Sequence, residues 1–213
     1  MIINWLGQSC MRIQSGGLSF VIDPFSPEIG LNLPRIKADV LLITHSHRDH
    51  NYKEGISGDY FLIENPGEYE VKGARIYGIE SFHDESSGNE RGLNTIYRIE
   101  LENSSLVHLG DFGQKELSPE QREKVDGVDV LFVPVGGVYT IDASRAWAIA
   151  RGLEPKVIIP IHYHLPGLKY KLQEVDEFLS IAKVKVAAQD KFSFRRNEIA
   201  DFKQKIIVLN AGM

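Results

Sequence analysis

The sequence predicts an α/β protein in which two β-sheets pack together with helices outside them. Two observations carry this expectation. Up to about Asp111 the chain reads as short strands joined by tight turns, and from Ser118 onward strand-like and helix-like segments alternate. The runs "ADVLLIT", "DVLFVPV" and "PKVIIPI" are also almost continuously apolar, as strands covered on both faces require.

Taken in order, "MRIQSGGLSFVID" gives two β-rich runs around Ser15-Gly16-Gly17, a hairpin. "ADVLLIT" is a buried strand. "EYEVKGARIYGIE" turns at Lys72-Gly73 and "NTIYRIELENSSLVHLGD" turns near Glu102-Asn103, giving two more hairpins. Ser118 caps a helix with Pro119 at its first position and Gln121 completing a capping box, and Gly127 stops it. After the strand "DVLFVPV", Asp142 caps a helix running through Trp147 and Ile149 to Gly152. "PKVIIPI" is a strand, "QEVDEFLSIA" a helix, and "KVKVAA" and "QKIIVLN" are expected as closing strands. No long linker, repeat or low-complexity stretch interrupts residues 1–213, so one domain is expected.

Composition narrows the function classes. At 213 residues and 43% hydrophobic content the chain can bury a sizeable core. A formal net charge of −5 supplies no basic footprint, so nucleic acid is not the expected partner and a small molecule is. The lone Cys10 leaves no intramolecular disulfide and fits a reducing compartment. "MIINWLGQSC" has no basic start followed by a long apolar stretch, and no apolar run nears the ~20 residues of a membrane span. The expected location is the cytoplasm.

The chemistry is concentrated in the histidines. All seven (His45, His47, His50, His83, His108, His162 and His164) fall at strand ends or in loops beside them. "THSHRDH", from Thr44, follows a buried strand. His45 and His47 are two apart and project to one side of an extended backbone, where they can share one ion. Asp49 and His50 sit in the turn beyond and can face a second ion. One loop cannot close two metal sites, and His83 in "IESFHDE", Asp111 in "VHLGDFG" and His162 in "VIIPIHYH" are the downstream candidates. Gly110 lets the chain turn so that Asp111 reaches inward.

"THSHRDH" resembles the signature of the metallo-β-lactamase superfamily. "WLGQSC", "VIDPF", "HLGDFG", "VPVGGVYTID" and "IPIHYH" are similar to segments of its small zinc-dependent hydrolase-like branch, which includes the ascorbate-6-phosphate lactonases. The resemblance covers essentially the whole chain. It implies a four-layer αββα sandwich of two mixed sheets with a dinuclear centre at one edge. Carried over by position, it implies that His45, His47 and His83 hold one metal, that Asp49, His50 and His162 hold the other, and that Asp111 bridges them. The family's turn after the third histidine is His-Thr-x-Gly, whereas here it is His83-Asp84-Glu85, so either carboxylate is an alternative to His83. The expected cofactor is two divalent ions, zinc first, with manganese and iron as alternatives.

Around these, Asp23 is expected either to orient a ligand histidine or to cap its strand end. His108 is expected to pack or to orient rather than to ligate. Tyr139, Tyr163 and His164 are candidates for lining a pocket. The implied reaction is hydrolysis: two cations bring a shared water near neutral pKa, and the hydroxide attacks a carbonyl carbon or a phosphorus while Asp49 orients it and handles a proton. The bond would be of ester type, in a lactone, phosphoester or amide. The rival classes are a diiron redox or oxygen-binding protein built on the same ligands, and a metal-stabilised binding protein without turnover.

Overall fold

The computed structural model describes residues 1–212. Two mixed sheets form an α/β sandwich. The six-stranded sheet runs, in spatial order, Phe192–Ser193, Ile2–Gly7, Cys10–Ser15, Leu18–Ile22, Val40–Leu42 and Phe61–Ile63. The seven-stranded sheet runs Lys205–Ile206, Val157–Ile161, Val130–Pro134, Ser104–His108, Leu93–Leu101, Ala74–Phe82 and Gly67–Val71. Helices Pro119–Val125 and Ala143–Leu153 pack on the seven-stranded sheet, and Val175–Ala182 packs against the second of them.

The three expected hairpins form, and each closes with a two-residue turn. Ser15 pairs Leu18, Val71 pairs Ala74 and Leu101 pairs Ser104. Both central residues of each turn have positive φ: Gly16 and Gly17, Lys72 and Gly73, Glu102 and Asn103. This is the backbone that matches the twist of the flanking strands. Ser118 and Gln121 make the capping box and Asp142 caps the next helix, as expected. That helix runs one residue past Gly152, and Glu154 takes the left-handed cap at φ 49°.

One closing strand is absent. Residues 183–188 form no strand: Lys183 ends the preceding helix in the left-handed region, and most of the segment is exposed. The edge beside Ile2–Gly7 is taken by Phe192–Ser193 instead. In "QKIIVLN" the strand is only Lys205–Ile206, paired in parallel with Val157–Ile158.

One apolar cluster fills the space between the sheets and under the helices, including Trp5, Phe20, Ile22, Tyr97 and Phe132. Tyr97 reaches from one sheet to the other, donating to the carbonyls of Ile43 and Ile63 at 2.9 and 3.3 Å. That bond lies just below the loops where the histidines gather.

Candidate metal centre

Four strands deliver the polar groups to one end of the sandwich. Val40–Leu42 feeds the loop carrying His45, His47, Asp49 and His50, and Ala74–Phe82 ends at His83. Ser104–His108 leads through Gly110 to Asp111, and Val157–Ile161 ends at His162. The turn before Asp111 has no room for a side chain. A Cβ on Gly110, at φ +59°, would lie 2.3 Å from Asn94 Oδ1. That same oxygen accepts the Asp111 backbone N–H at 3.0 Å.

The ligand atoms fall into two groups, His45/His47/His83 and Asp49/His50/Asp111/His162, each with its atoms within 4.8 Å of one another. Asp111 Oδ2 lies where the groups meet. It is 3.3 Å from His83 Nε2 in the first group, and 3.2 and 3.1 Å from His50 Nε2 and His162 Nε2 in the second.

Asp23 sets the tautomers. It is fully buried, at φ 50°, and its Oδ1 accepts the Thr44 backbone N–H at 2.8 Å. Its Oδ2 accepts from the Thr44 hydroxyl at 2.7 Å and from His50 Nδ1 at 2.9 Å. Because the Thr44 proton goes to Asp23, its oxygen accepts from His45 Nδ1 at 2.9 Å. One carboxylate thereby turns the Nε2 lone pairs of His45 and His50, one in each group, toward the centre. Both Nε2 atoms are buried and have no hydrogen-bond partner.

Charge tells the same story. Burial opposes ionisation of Asp111, yet the His162 and His50 imidazoles hold its carboxyl well below the usual range. Burial likewise works against a charged His50, but Asp111, Asp49 and Asp23 together push it well above an ordinary imidazole. The second group is therefore a place where positive charge is favoured. His45 is pushed well down, first by burial, and so stays neutral with its lone pair free. Buried carboxylates, inward lone pairs without partners and imidazole-oxygen donors are the set a divalent transition metal takes, so the residues fit two such ions.

Asp84 and Glu85 do not join these groups. Asp84 accepts backbone N–H bonds from Ser86, Gly88, Glu90 and Arg91, ordering the following loop, and Glu85 pairs with Arg145. His108 lies outside both groups with both ring nitrogens bonded. Nε2 donates to the Ser9 carbonyl at 2.9 Å, and Nδ1 accepts from Gly110 N at 3.0 Å. Tyr139, Tyr170, Arg48 and Arg91 surround a cleft of about 360 Å³ whose floor is His47, Asp49, His83 and Asp111. Tyr163, a candidate pocket residue, is in the core instead, its ring 4.6 Å from Trp5 and its hydroxyl bonded to the Leu209 carbonyl. His164 is another such candidate, and its ring lies 3.8 Å from Glu174, outside the lining of the cleft.

Sequence reasoning missed the turn between strands Ile2–Gly7 and Cys10–Ser15. Gln8 and Ser9 are fully buried there: Gln8 Nε2 is 3.0 Å from Asp49 Oδ2, and Ser9 Oγ donates to Asp111 Oδ1 at 3.3 Å. Their signal is a polar Gln-Ser pair between apolar strands. It also missed Tyr170 and Arg91, whose guanidinium lies 5.8 Å above the Tyr139 ring.

The chain is similar to known proteins in sequence and in fold. A metal-dependent hydrolase of Staphylococcus aureus is 26% identical, the match covering 87% of this chain and 96% of that one. A crystal structure from Thermotoga maritima, assigned to the zinc-dependent hydrolases of the metallo-β-lactamase superfamily, is 33% identical with a TM-score of 0.77. That match covers 98% of this chain and 97% of the other. A diiron β-hydroxylase from Streptomyces venezuelae, 16% identical at a TM-score of 0.62, shares the fold over 85% of this chain and 49% of its own. A family model for the β-lactamase superfamily domain matches residues 2–162, and the chain belongs to that superfamily.

Proposed function

We propose that this metal-dependent hydrolase works through two divalent ions and cleaves an ester-type bond in a small molecule. One observation carries the two-ion reading. Asp23, Asp49 and Asp111 have no lysine or arginine within 4.0 Å among the described residues; their only basic neighbours are histidines, of which His50 turns a buried Nε2 without a hydrogen-bond partner toward Asp49 and Asp111. Buried carboxylates need compensating positive charge, and here only cations would supply it in full.

His45, His47 and His83 would hold one ion, Asp49, His50 and His162 the other, and Asp111 would bridge. Zinc suits the mixed imidazole and carboxylate set, with manganese and iron as alternatives. When bound, such a pair supplies water ionised near neutral pH and an electrophile for the oxygen of the scissile bond. Asp49 borders the cleft, and its carboxylate would orient the attacking water and accept its proton. Asp23 would keep His45 and His50 in the ligating tautomer. The cleft, about 360 Å³ with Tyr139 and Tyr170 on its wall, suits a lactone, phosphoester or amide of modest size. No described helix is long and apolar enough to cross a membrane, and the lone buried Cys10 supports a reducing compartment such as the cytoplasm.

The test is a panel of lactones, activated phosphodiesters and amides, assayed with metal, with chelator, and after metal is restored. Chelator-sensitive, metal-restored hydrolysis is expected for at least one class. A protein that binds iron, shows a visible charge-transfer band and hydrolyses nothing would favour the diiron redox class.

A further inference from the structure

We propose that Gln8 is a further donor to the second metal position, that of Asp49, His50, Asp111 and His162, acting through its side-chain amide oxygen. The inference rests on the two-ion reading above.

Gln8 stands at the turn between strands Ile2–Gly7 and Cys10–Ser15, fully buried, with φ at +51°. A residue with a β-carbon costs about 1 kcal/mol or more in that region, and glycine would avoid the cost. Its main chain is committed: the carbonyl accepts from Trp5 Nε1 at 2.8 Å and from the His162 backbone N–H at 2.9 Å. The backbone of a ligand histidine is thus tied to Gln8, which fixes where the Gln8 side chain must point.

The amide group points into the ligand cluster. Nε2 is 3.0 Å from Asp49 Oδ2 and 3.0 Å from His162 Nε2, while Oε1 is buried and has no partner. The two ends of a glutamine amide are nearly the same size, and partners decide which end is which. Two facts favour the turned amide. An N–H aimed at His162 Nε2 competes for the lone pair that this nitrogen must offer as a ligand. An oxygen at the same place has no such conflict once a cation lies between the groups. The competing role is an N–H donor that only steadies Asp49, and the two roles respond differently to substitution.

The experiment titrates zinc into the chelator-stripped full-length protein against a chromophoric competitor, reading the first and second equivalents separately. Gln8→Gly deletes the amide and accepts φ +51°, so it keeps the fold; Gln8→Ala is the parallel deletion. In both, one of the two zinc equivalents is expected to bind at least about tenfold more weakly, the scale of losing one supporting group at a metal site, with the other unchanged. Gln8→Glu supplies an oxygen donor with no hydrogen to give at neutral pH, and should restore or exceed wild-type affinity for the equivalent that the deletions weaken. Wild-type affinity in both deletions would overturn the inference. So would a Gln8→Glu protein no tighter than the deletions, because that result assigns an N–H donor role. If wild type takes up no second equivalent, the two-ion reading itself fails, and the wild-type arm shows this without any variant.

Discussion

The two ends of the sandwich handle acidic side chains in opposite ways. At the end holding the three hairpin turns, each acid is matched within the protein. Asp39 accepts the Ser19 N–H at 2.9 Å and pairs with Lys72 at 3.0 Å. Asp129 accepts the Ser105 N–H at 2.9 Å and pairs with Lys156 and Arg196 at 2.6 and 2.8 Å. At the other end the only basic partners of Asp23, Asp49 and Asp111 among the described residues are imidazoles. The first arrangement is complete and contributes to stability. The second leaves unbonded donor atoms buried, a cost that persists in a fold when a ligand repays it.

Substitutions at the two ends should therefore separate function from folding. The largest effect is expected for Asp49→Asn, which keeps size and one oxygen but removes the proton acceptor. Steady-state kinetics on whichever substrate the panel yields should show kcat lower by about two orders of magnitude or more, with the melting temperature little changed. Near-normal turnover with both metals bound would remove Asp49 from the hydrolytic machinery.

Asp23→Asn comes next. It touches no cation, yet it frees the tautomers of His45 and His50 together, so affinity should fall about tenfold to a hundredfold in both ligand groups. Competition titration with zinc reads this directly. A loss confined to one group would show that the Thr44 relay to His45 carries no weight.

At the opposite end the sign of the outcome reverses. Asp129→Asn should leave metal content and turnover intact while lowering stability by about 2 kcal/mol, the scale of a charge-assisted hydrogen bond. Burial works against the Asp129 charge, but Lys156, the Ser105 N–H and Arg196 outweigh it and hold the carboxyl below its ordinary value. A depressed folded-state pKa contributes stability above the unfolded value of about 3.9 and loses it as pH falls through the folded one. The gap between wild type and Asp129→Asn should accordingly be full at neutral pH and close below about pH 4. Denaturant melts across that range test it, and a constant gap would mean that the charge is not the source.

The smallest expected effect is Gly73→Ala. Its φ is +84° and nothing lies within 4 Å of the added carbon, so only backbone strain is at stake, about 1 kcal/mol. A melt showing no loss would mean that the turn relaxes.

The same contrast explains what could be read from the sequence. Ser15-Gly16-Gly17, Lys72-Gly73, Ser118 with Gln121, and Asp142 act on neighbours within a few residues, so local turn and cap chemistry reveals them. The histidine-rich loop was legible because four candidate ligands are packed into "HSHRDH". Gln8, Ser9 and Tyr170 were not, because their roles arise from contacts across the fold. Gln8 meets His162 across 154 residues, and Ser9 meets Asp111 across 102. "KVKVAA" failed as a strand for a related reason: alternation shows fitness for an edge, whereas occupation of that edge by Phe192–Ser193 is a tertiary fact. Tyr163 shows the limit of adjacency, since the residue after a ligand histidine lies in the core against Trp5.

The central claim is that the acid-and-imidazole end is built to be completed by two cations. The direct measurement is elemental analysis of protein loaded with zinc and exchanged into metal-free buffer, with circular dichroism recorded before and after chelation. Two equivalents per chain are predicted, removed by chelator with the fold retained and recovered when zinc is returned. Loaded protein that keeps no zinc, manganese or iron above background, or that is fully active with a single tightly held ion, would contradict it.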